Sequence, residues 1–308
     1  MRPTSLKCVY ELAQKDERVI FIGSDLGPGV LEEFKKNIPD RFFMEGVTEQ
    51  HIVGMAAGLA LEGFIPYVNT IATFLTRRCF EQNVLDLGLH KTNVRLISNG
   101  GGTVYAPLGP THLAIDDLAI MRTIPNMTIV SPADADEMKR FMDQTLDYDG
   151  PIYIRLGKGY DPIVSRDDFP FKIGKAIPMK EGSDLLIVTT GISLAMALEA
   201  ADELKNMKLD VSVLHMHTIK PFDKETLLKQ VSKVPAIITL EEHSILGGLG
   251  SACAEVILEE GFSETKAFKR MGINDVFPSG YGNQKDMMAR NGMSVSGIKK
   301  VAGDLLKF

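Results

Sequence analysis

The sequence predicts an α/β protein of two consecutive domains with mainly parallel sheets, and three observations carry that prediction. Short β-rich runs alternate with helical patterns along most of the 308 residues. The β-rich runs are continuously apolar rather than alternating, as expected where helices cover both faces of a parallel sheet. The alternation breaks once, at "KGYDPIVSRDDFPFKIGKAIPMKEGS" after Gly157, where prolines, glycines and charges follow no period. Such a stretch reads as a linker. The expected organisation is a first domain over 1–160, a linker over 161–183 and a second domain over 184–308.

In the first half, strands are expected at 18–25, 65–70, 93–99, 127–132 and 151–157, with helices at 48–62, 73–89, 111–122 and 133–147. "SPADADEM" is a helix start: Ser131 or Asp134 caps, Pro132 fits the first turn, and acids sit at the positive end of the dipole. In the second half the order is strand 185–190, helix 193–207, strand 210–215, helix 223–232, strand 235–240 and helix 248–260. The remaining residues add a short strand and two helices.

Composition narrows the function classes. Hydrophobic residues make up 44% and charged ones 24%, an ordinary globular balance, and the net charge of −6 implies no basic face for nucleic acid or an anionic membrane. Arg77–Arg78 and Lys299–Lys300 are isolated pairs that read as solvated helix positions. Cys8, Cys79 and Cys253 are odd in number and far apart, so neither a disulfide framework nor a zinc spacing follows, and a reducing cytoplasm is expected. No apolar run suits a signal peptide or a membrane span.

Several stretches carry chemistry-bearing residues. "GGLGSA" (247–252) resembles a phosphate loop, but Cys253 stands where a third glycine belongs, and a tight strand-to-helix turn is the simpler reading. "HMH" (215–217) puts two histidines on one side of a strand end without a third ligand, which favours a structural role over a metal site. "EEH" (241–243) is either an acid–base pair or a set of caps and interface contacts. "SNGGGTVYAPLGPTHLAIDD" (98–117) is a long irregular segment after a parallel strand, the place where α/β proteins bind ligands, and it carries His112. Arg155 ends an apolar strand, so its guanidinium needs either a ligand phosphate or an internal carboxylate. Glu49 opens a helix whose Gly54, Ala56, Ala57, Gly58 and Ala60 allow another backbone or a flat ligand to come close.

Taken together, "GSDLGPG", "GVTEQHIVGMAAGLALEG", "GPTHLAIDDLAIMRTIPNMTIVSPADADEM" and "GPIYIRLGKG" resemble the pyrimidine-binding domain of transketolases. "DLLIVTTGISLAMALEAADEL", "VSVLHMHTIKPFD" and "ITLEEHSILGGLGSACAEVI" resemble the transketolase C-terminal domain. The family's diphosphate-binding domain, with its Gly-Asp-Gly…Asn metal motif, has no counterpart in the chain. The resemblance therefore implies the C-terminal subunit of a split, two-gene enzyme, inactive without an N-terminal subunit that holds Mg²⁺ and the diphosphate. The implied assembly is a dimer of heterodimers, with a homodimer of this chain as its core and the second domain contributing interface.

The resemblance also implies a cofactor, thiamine diphosphate, and a reaction, transfer of a two-carbon ketol unit from a sugar or sugar-phosphate donor to an aldehyde. Glu49 matches the glutamate that hydrogen-bonds N1′ of the aminopyrimidine, which lets the 4′-nitrogen take the thiazolium C2 proton. Phe74 matches an aromatic that stacks on the pyrimidine, and Ile71 stands where a second aromatic is common. Asp25 and Leu26 match residues beside the thiazolium and the bend of the cofactor. His112 matches the histidine on the donor hydroxyls, Arg155 the arginine on substrate phosphate, and Arg78 joins the substrate-binding candidates. Three positions depart from the pattern: Gly29 replaces a phosphate-binding serine, Gly100 a substrate histidine, and Leu108 the aspartate that reads an acceptor hydroxyl. A pocket that loses hydroxyl partners changes its substrates, so atypical substrates are expected. 1-Deoxyxylulose-5-phosphate synthases and the β subunits of 2-oxo acid dehydrogenases share the domain pair and are the rival enzyme readings. A catalytically silent scaffold is the rival outside enzymes.

Overall fold

Apolar β-branched runs become buried strands wherever helices supply cover on both faces, and this chain builds two sheets that way. The structure is a computed structural model describing residues 1–24, 29, 31–157, 159, 161–262 and 265–307. In chain order the first six strands are β1 (Val19–Gly23), β2 (Phe42–Met44), β3 (Ile65–Ile71), β4 (Arg95–Asn99), β5 (Thr128–Val130) and β6 (Ile152–Leu156). Then come β7 (Ile177–Lys180), β8 (Leu185–Thr189), β9 (Val211–His215), β10 (Thr218–Lys220), β11 (Ala236–Ser244) and β12 (Ala267–Ile273).

The first sheet has seven strands in the order β10-β5-β6-β4-β3-β1-β2, all parallel except β10 at the edge. Alternate residues feed two cores. Ile20, Ile22, Val68 and Leu96 face Ile52, Val53 and Ala56 of the Glu49–Leu61 helix. Phe21, Tyr67, Ile97 and Ile154 face Leu6, Val9 and Leu12 of an N-terminal helix, with Met138 and Phe141 of the Ala135–Met142 helix. The second sheet runs β12-β11-β8-β9-β7, with β7 antiparallel. Leu185, Ile187, Val213 and Ile238 pack there against the Ser193–Asn206 and Val295–Leu306 helices.

The expected linker holds a strand: β7 joins the second sheet beside β9. Conversely, β10 comes from the second half yet completes the first sheet, pairing Thr218 with Val130. The chain therefore passes from one sheet to the other within "HMHTIK", and the seam is stitched there. The Met216 amide donates to the Thr189 carbonyl at 2.8 Å, and the Ser131 amide to the His217 carbonyl at 2.7 Å. His215 Nε2 meets Glu137 Oε2 at 2.9 Å, and the His217 ring stacks on Phe171 at 3.9 Å. The two histidines are seam residues, as the structural reading of this motif held.

"GGLGSA" also resolves as packing. Glu241 accepts from the amides of Leu249 (2.7 Å) and Gly250 (2.8 Å), so a carboxylate of the protein itself holds the helix start. A side chain at Gly248 would meet Glu241 Oε2 at 2.1 Å.

Two expected helices are shorter. The 73–89 stretch divides into Ala72–Thr76, Phe80–Gln82 and a π-helical turn over Asn83–Leu89, with Asn83 Nδ2 bonded back to the Leu75 carbonyl at 2.7 Å. The helix expected from 111 begins at Asp117, because Ala114 is drawn into an extended pairing with Gly102.

Candidate active site

Four candidate residues converge at the carboxyl edge of the first sheet. Glu49 sits in the first turn of its helix, and Thr48, the N-cap residue, turns its hydroxyl away to the Glu45 carbonyl. The residues before it are exposed, Val47 at 63%, yet the Glu49 side chain is 1% exposed. Oε2 accepts from Arg78 Nη1 at 2.5 Å, while Oε1 is buried with no hydrogen-bond partner. A buried carboxylate oxygen without a donor costs about 1–3 kcal/mol or more, so this oxygen works against the stability of the fold.

Phe74 lies on the short helix that follows β3. Its ring carries the Arg78 guanidinium 4.3 Å above its centroid, and His112 meets it edge-on at 5.3 Å between centroids. The Arg78 side chain is 43% exposed, so it lies at the mouth of this arrangement. His112 Nδ1 is 2.9 Å from Thr111 Oγ1. Ile71, 8% exposed, ends β3 and leads into the Phe74 helix.

Arg155 requires a correction. It is buried, its Nε and Nη2 pair with Asp117 (2.7 and 3.2 Å), and Nη2 also donates to the carbonyls of Ala114 and Glu242. The internal carboxylate, not a substrate phosphate, is its anion. Burial alone would lower its pKa, but the adjoining Asp117 charge reverses this and holds the guanidinium firmly protonated. Asp117 is buried too, which would raise its carboxyl, yet Arg155 and His243 beside it leave it below the usual carboxylate range.

Gly100 also differs from the expectation. Its φ is +78°, and a side chain there would strike the Tyr105 ring at 2.1 Å, so Tyr105 fills the place of a residue 100 side chain. Leu108 is 53% exposed on the same loop, and among the described residues no atom lies within 4 Å of where a Gly29 side chain would begin. Asp25 and Leu26 lie outside the described residues. Among the described residues no group of three His, Cys, Asp or Glu side chains could hold a metal, and no helix is long and apolar enough to cross a membrane.

Reasoning from sequence gave no role to Asp117, Thr103 or Tyr105, and left Glu242 within "EEH" between an acid–base pair and interface contacts. Glu242, on β11, accepts from the Thr103 amide and hydroxyl across the seam. Burial pushes its carboxyl up, against the Thr103 donors and the Arg155 charge. The "EEH" stretch thus serves contacts: Glu242 holds Thr103 across the seam, Glu241 holds a helix start, and buried His243 lies 3.7 Å from Glu241 and 3.8 Å from Asp117.

The cluster can take a flat ring with a polar edge: an aromatic wall, a buried acceptor still lacking a partner, and a planar group already resting there. The fold is thus an α/β domain carrying this cluster at its sheet edge, coupled to a second α/β domain. Residues 1–160 match the transketolase pyrimidine-binding domain, and residues 174–298 match the transketolase C-terminal domain. The chain belongs to the transketolase family. It is 36% identical to the 6-deoxy-6-sulfo-D-fructose transketolase subunit SqwH of Clostridium sp. (strain MSTE9), over 90% of this chain and 85% of that one. It is 35% identical to an apulose-4-phosphate transketolase subunit of Phocaeicola vulgatus, over 97% of this chain and 95% of that one. A solved split-gene transketolase, described as an inactive β4 tetramer, superposes with a TM-score of 0.90 at 36% identity, covering 99% of this chain and 98% of that one.

Proposed function

We propose that this chain is the C-terminal subunit of a two-gene transketolase. It transfers a two-carbon ketol unit from a ketose or ketose-phosphate donor to an aldehyde, and it needs a separate N-terminal subunit for activity. The observation that carries this reading is the buried, unpartnered Oε1 of Glu49 beside the Phe74 wall. Thiamine diphosphate fits those residues, and when bound it supplies the nucleophilic carbon and electron sink for C–C cleavage.

Glu49 holds the proton shared with N1′ of the aminopyrimidine. Phe74 and Ile71 would form the apolar wall that orients the ring, and the family resemblance assigns Asp25 and Leu26 to the thiazolium and the bend of the cofactor. Arg78 leaves the face of Phe74 to make room and becomes a cation for an anionic sugar. His112, on the loop after β4, binds donor hydroxyls. The partner subunit provides the Mg²⁺ and diphosphate site. Exposed Gly58, with half-buried Gly54 and Ala60 on the same helix, suits close approach by that partner. The working particle is a dimer of heterodimers in a reducing cytoplasm, in keeping with three free, buried cysteines.

The substrates are atypical sugars or sugar phosphates. Leu108 offers no acceptor for a hydroxyl, Gly29 and Gly100 offer no side chain, and Arg155 is committed elsewhere. Two relatives are named for a sulfosugar and for apulose phosphate, which supports a family branch with diverse substrates.

The test mixes this chain with a co-expressed N-terminal subunit, Mg²⁺ and thiamine diphosphate, with ketose and ketose-phosphate donors and a panel of aldehydes. Ketol transfer in the mixture alone, absent in Glu49→Ala, is expected. Turnover of 2-oxo acids in place of ketoses would overturn the donor assignment. A cofactor-loaded complex with neither activity would leave a scaffold.

A further inference from the structure

The loop that carries His112 has short backbone turns of its own between Thr103 and Leu113. Arg77 of the first domain reaches its Thr111 and Leu113 carbonyls at 3.4 and 3.2 Å, but the base of the loop is tied down from further away. Its two ends pair at Gly102 and Ala114, where each amide donates to the other's carbonyl (2.8 and 3.0 Å). Beyond that pair, contacts from the second domain fix the base. Glu242 Oε1 accepts from the Thr103 amide at 2.7 Å and hydroxyl at 2.6 Å, and Gln284 donates to both Glu242 oxygens. The Glu242 carbonyl takes Arg155 Nη2 at 2.9 Å, and that same nitrogen reaches the Ala114 carbonyl at 3.2 Å on the loop's other end. Two residues on, the Ser244 amide donates to the Ile115 carbonyl at 2.7 Å. Gly102, at φ +75°, lets the loop backbone press on Glu242, since a side chain there would meet its carboxyl carbon at 2.4 Å.

We infer that Glu242 is a positioning residue for ketol transfer, through which the second domain sets the pose of the loop bearing His112. The inference rests on the functional reading above, in which His112 contacts the donor. Three donors converge on a carboxylate that is 2% exposed, so the loop base has one hydrogen-bonded arrangement. His112 has only Thr111 Oγ1 and the Phe74 edge at its ring, so its placement follows the backbone of the loop. An error of about 1 Å in such a group can cost about 10² in rate. The second domain thus reaches the chemistry, although the resemblance assigned it only interface.

The experiment uses the complete two-subunit enzyme carrying Glu242→Leu, Glu242→Gln, Thr103→Val or Thr103→Ser. Gln keeps the oxygen that faces Thr103, and Gln284 can turn its amide to face the new one. Donor KM and kcat, cofactor half-saturation, and amide hydrogen exchange over 103–114 are measured together. Glu242→Leu should raise donor KM about tenfold or more, speed exchange across the loop and leave cofactor half-saturation unchanged. Thr103→Val should do the same more weakly, and Glu242→Gln and Thr103→Ser should stay near wild type. If Glu242→Leu lowers thermal stability but leaves KM, kcat and loop exchange as they were, the inference is overturned. If that variant fails to assemble, Thr103→Val against Thr103→Ser decides by the same readouts. Faster loop exchange in an enzyme whose wild type transfers no ketol unit would instead sink the functional reading.

Discussion

Two buried carboxylates each pair with an arginine on the same side of this molecule, and the two pairs are built to opposite ends. Asp117 and Arg155 are 0% and 5% exposed. Asp117 takes Arg155 on both oxygens and the Tyr153 hydroxyl on one. Glu49 is as deeply buried, but its arginine is 43% exposed and one oxygen has nothing. The first pair is closed on itself. The second ends in a half-exposed arginine and an oxygen without a donor, and the difference lies in whether every polar atom is spent.

The comparison breaks most sharply at Glu49. Glu49→Gln should lower ketol transfer about 10²–10⁴-fold, the range for removing a positioned proton-handling group, with melting temperature unchanged. Steady-state rates beside a thermal melt check this. A variant that melts well below wild type would mean that Glu49 is structural, like Asp117.

Asp117→Ala should do the reverse and act on folding first. It leaves the Arg155 guanidinium buried without its anion, a loss of about 3–5 kcal/mol. Denaturant titration of the purified chain reads it as an earlier midpoint with unchanged slope. Wild-type stability with lost activity would return Arg155 and its partner to the substrate.

Unspent polar atoms alone do not make a site, and the seam between the sheets shows why. His217 Nε2, His215 Nδ1 and Glu137 Oε1 also lack partners, but they lie in packed interior with no open side. Burial holds His217 at about 3, with the Glu137 and Asp223 charges opposing and His215 assisting. Its folded pKa is depressed, so the unfolded chain binds the extra proton first. The stability it contributes is present above pH 6.5 and is lost as pH falls toward 3. Glu137, also below its ordinary range, adds to that acid limb. His217→Gln should flatten the fall in melting temperature between pH 6 and 4 by several degrees. An equally steep fall in the variant would move the acid sensitivity to Glu137.

Much of this was legible in the residues. The apolar runs gave the parallel strands, because burial on both faces leaves no polar alternation to confuse them. Glu49 stood out as an acid opening a helix of small residues, and His112 by its place on a long loop after a parallel strand, while Phe74 came only with the resemblance to transketolases. What stayed hidden depends on contacts far apart in sequence. Asp117 and Arg155 are 38 residues apart, and Thr103 and Glu242 are 139 apart. No local pattern ties such positions together, so the sequence left Arg155 open between a phosphate and a carboxylate. β10 was missed for another reason: three residues, "TIK", are too few to show a period, and only the partner strand β5 defines them.

Arg78 gives the smallest effect and the finest test of the open pair. Its guanidinium is flat, donates to Glu49 and rests on Phe74, much as an aminopyrimidine would. Cofactor binding then has to break that pair, and half-exposed ion pairs are worth about 0–1 kcal/mol. Arg78→Ala should therefore tighten cofactor half-saturation by up to about fivefold, while donor KM rises for phosphorylated ketoses alone. Fluorescence titration of the assembled enzyme reads the first effect, and initial rates on phosphorylated and free sugars read the second. If the variant instead needs more cofactor, the guanidinium holds the ring rather than standing in for it, and the Glu49 pair is closer to the Asp117 pair than its open oxygen implies.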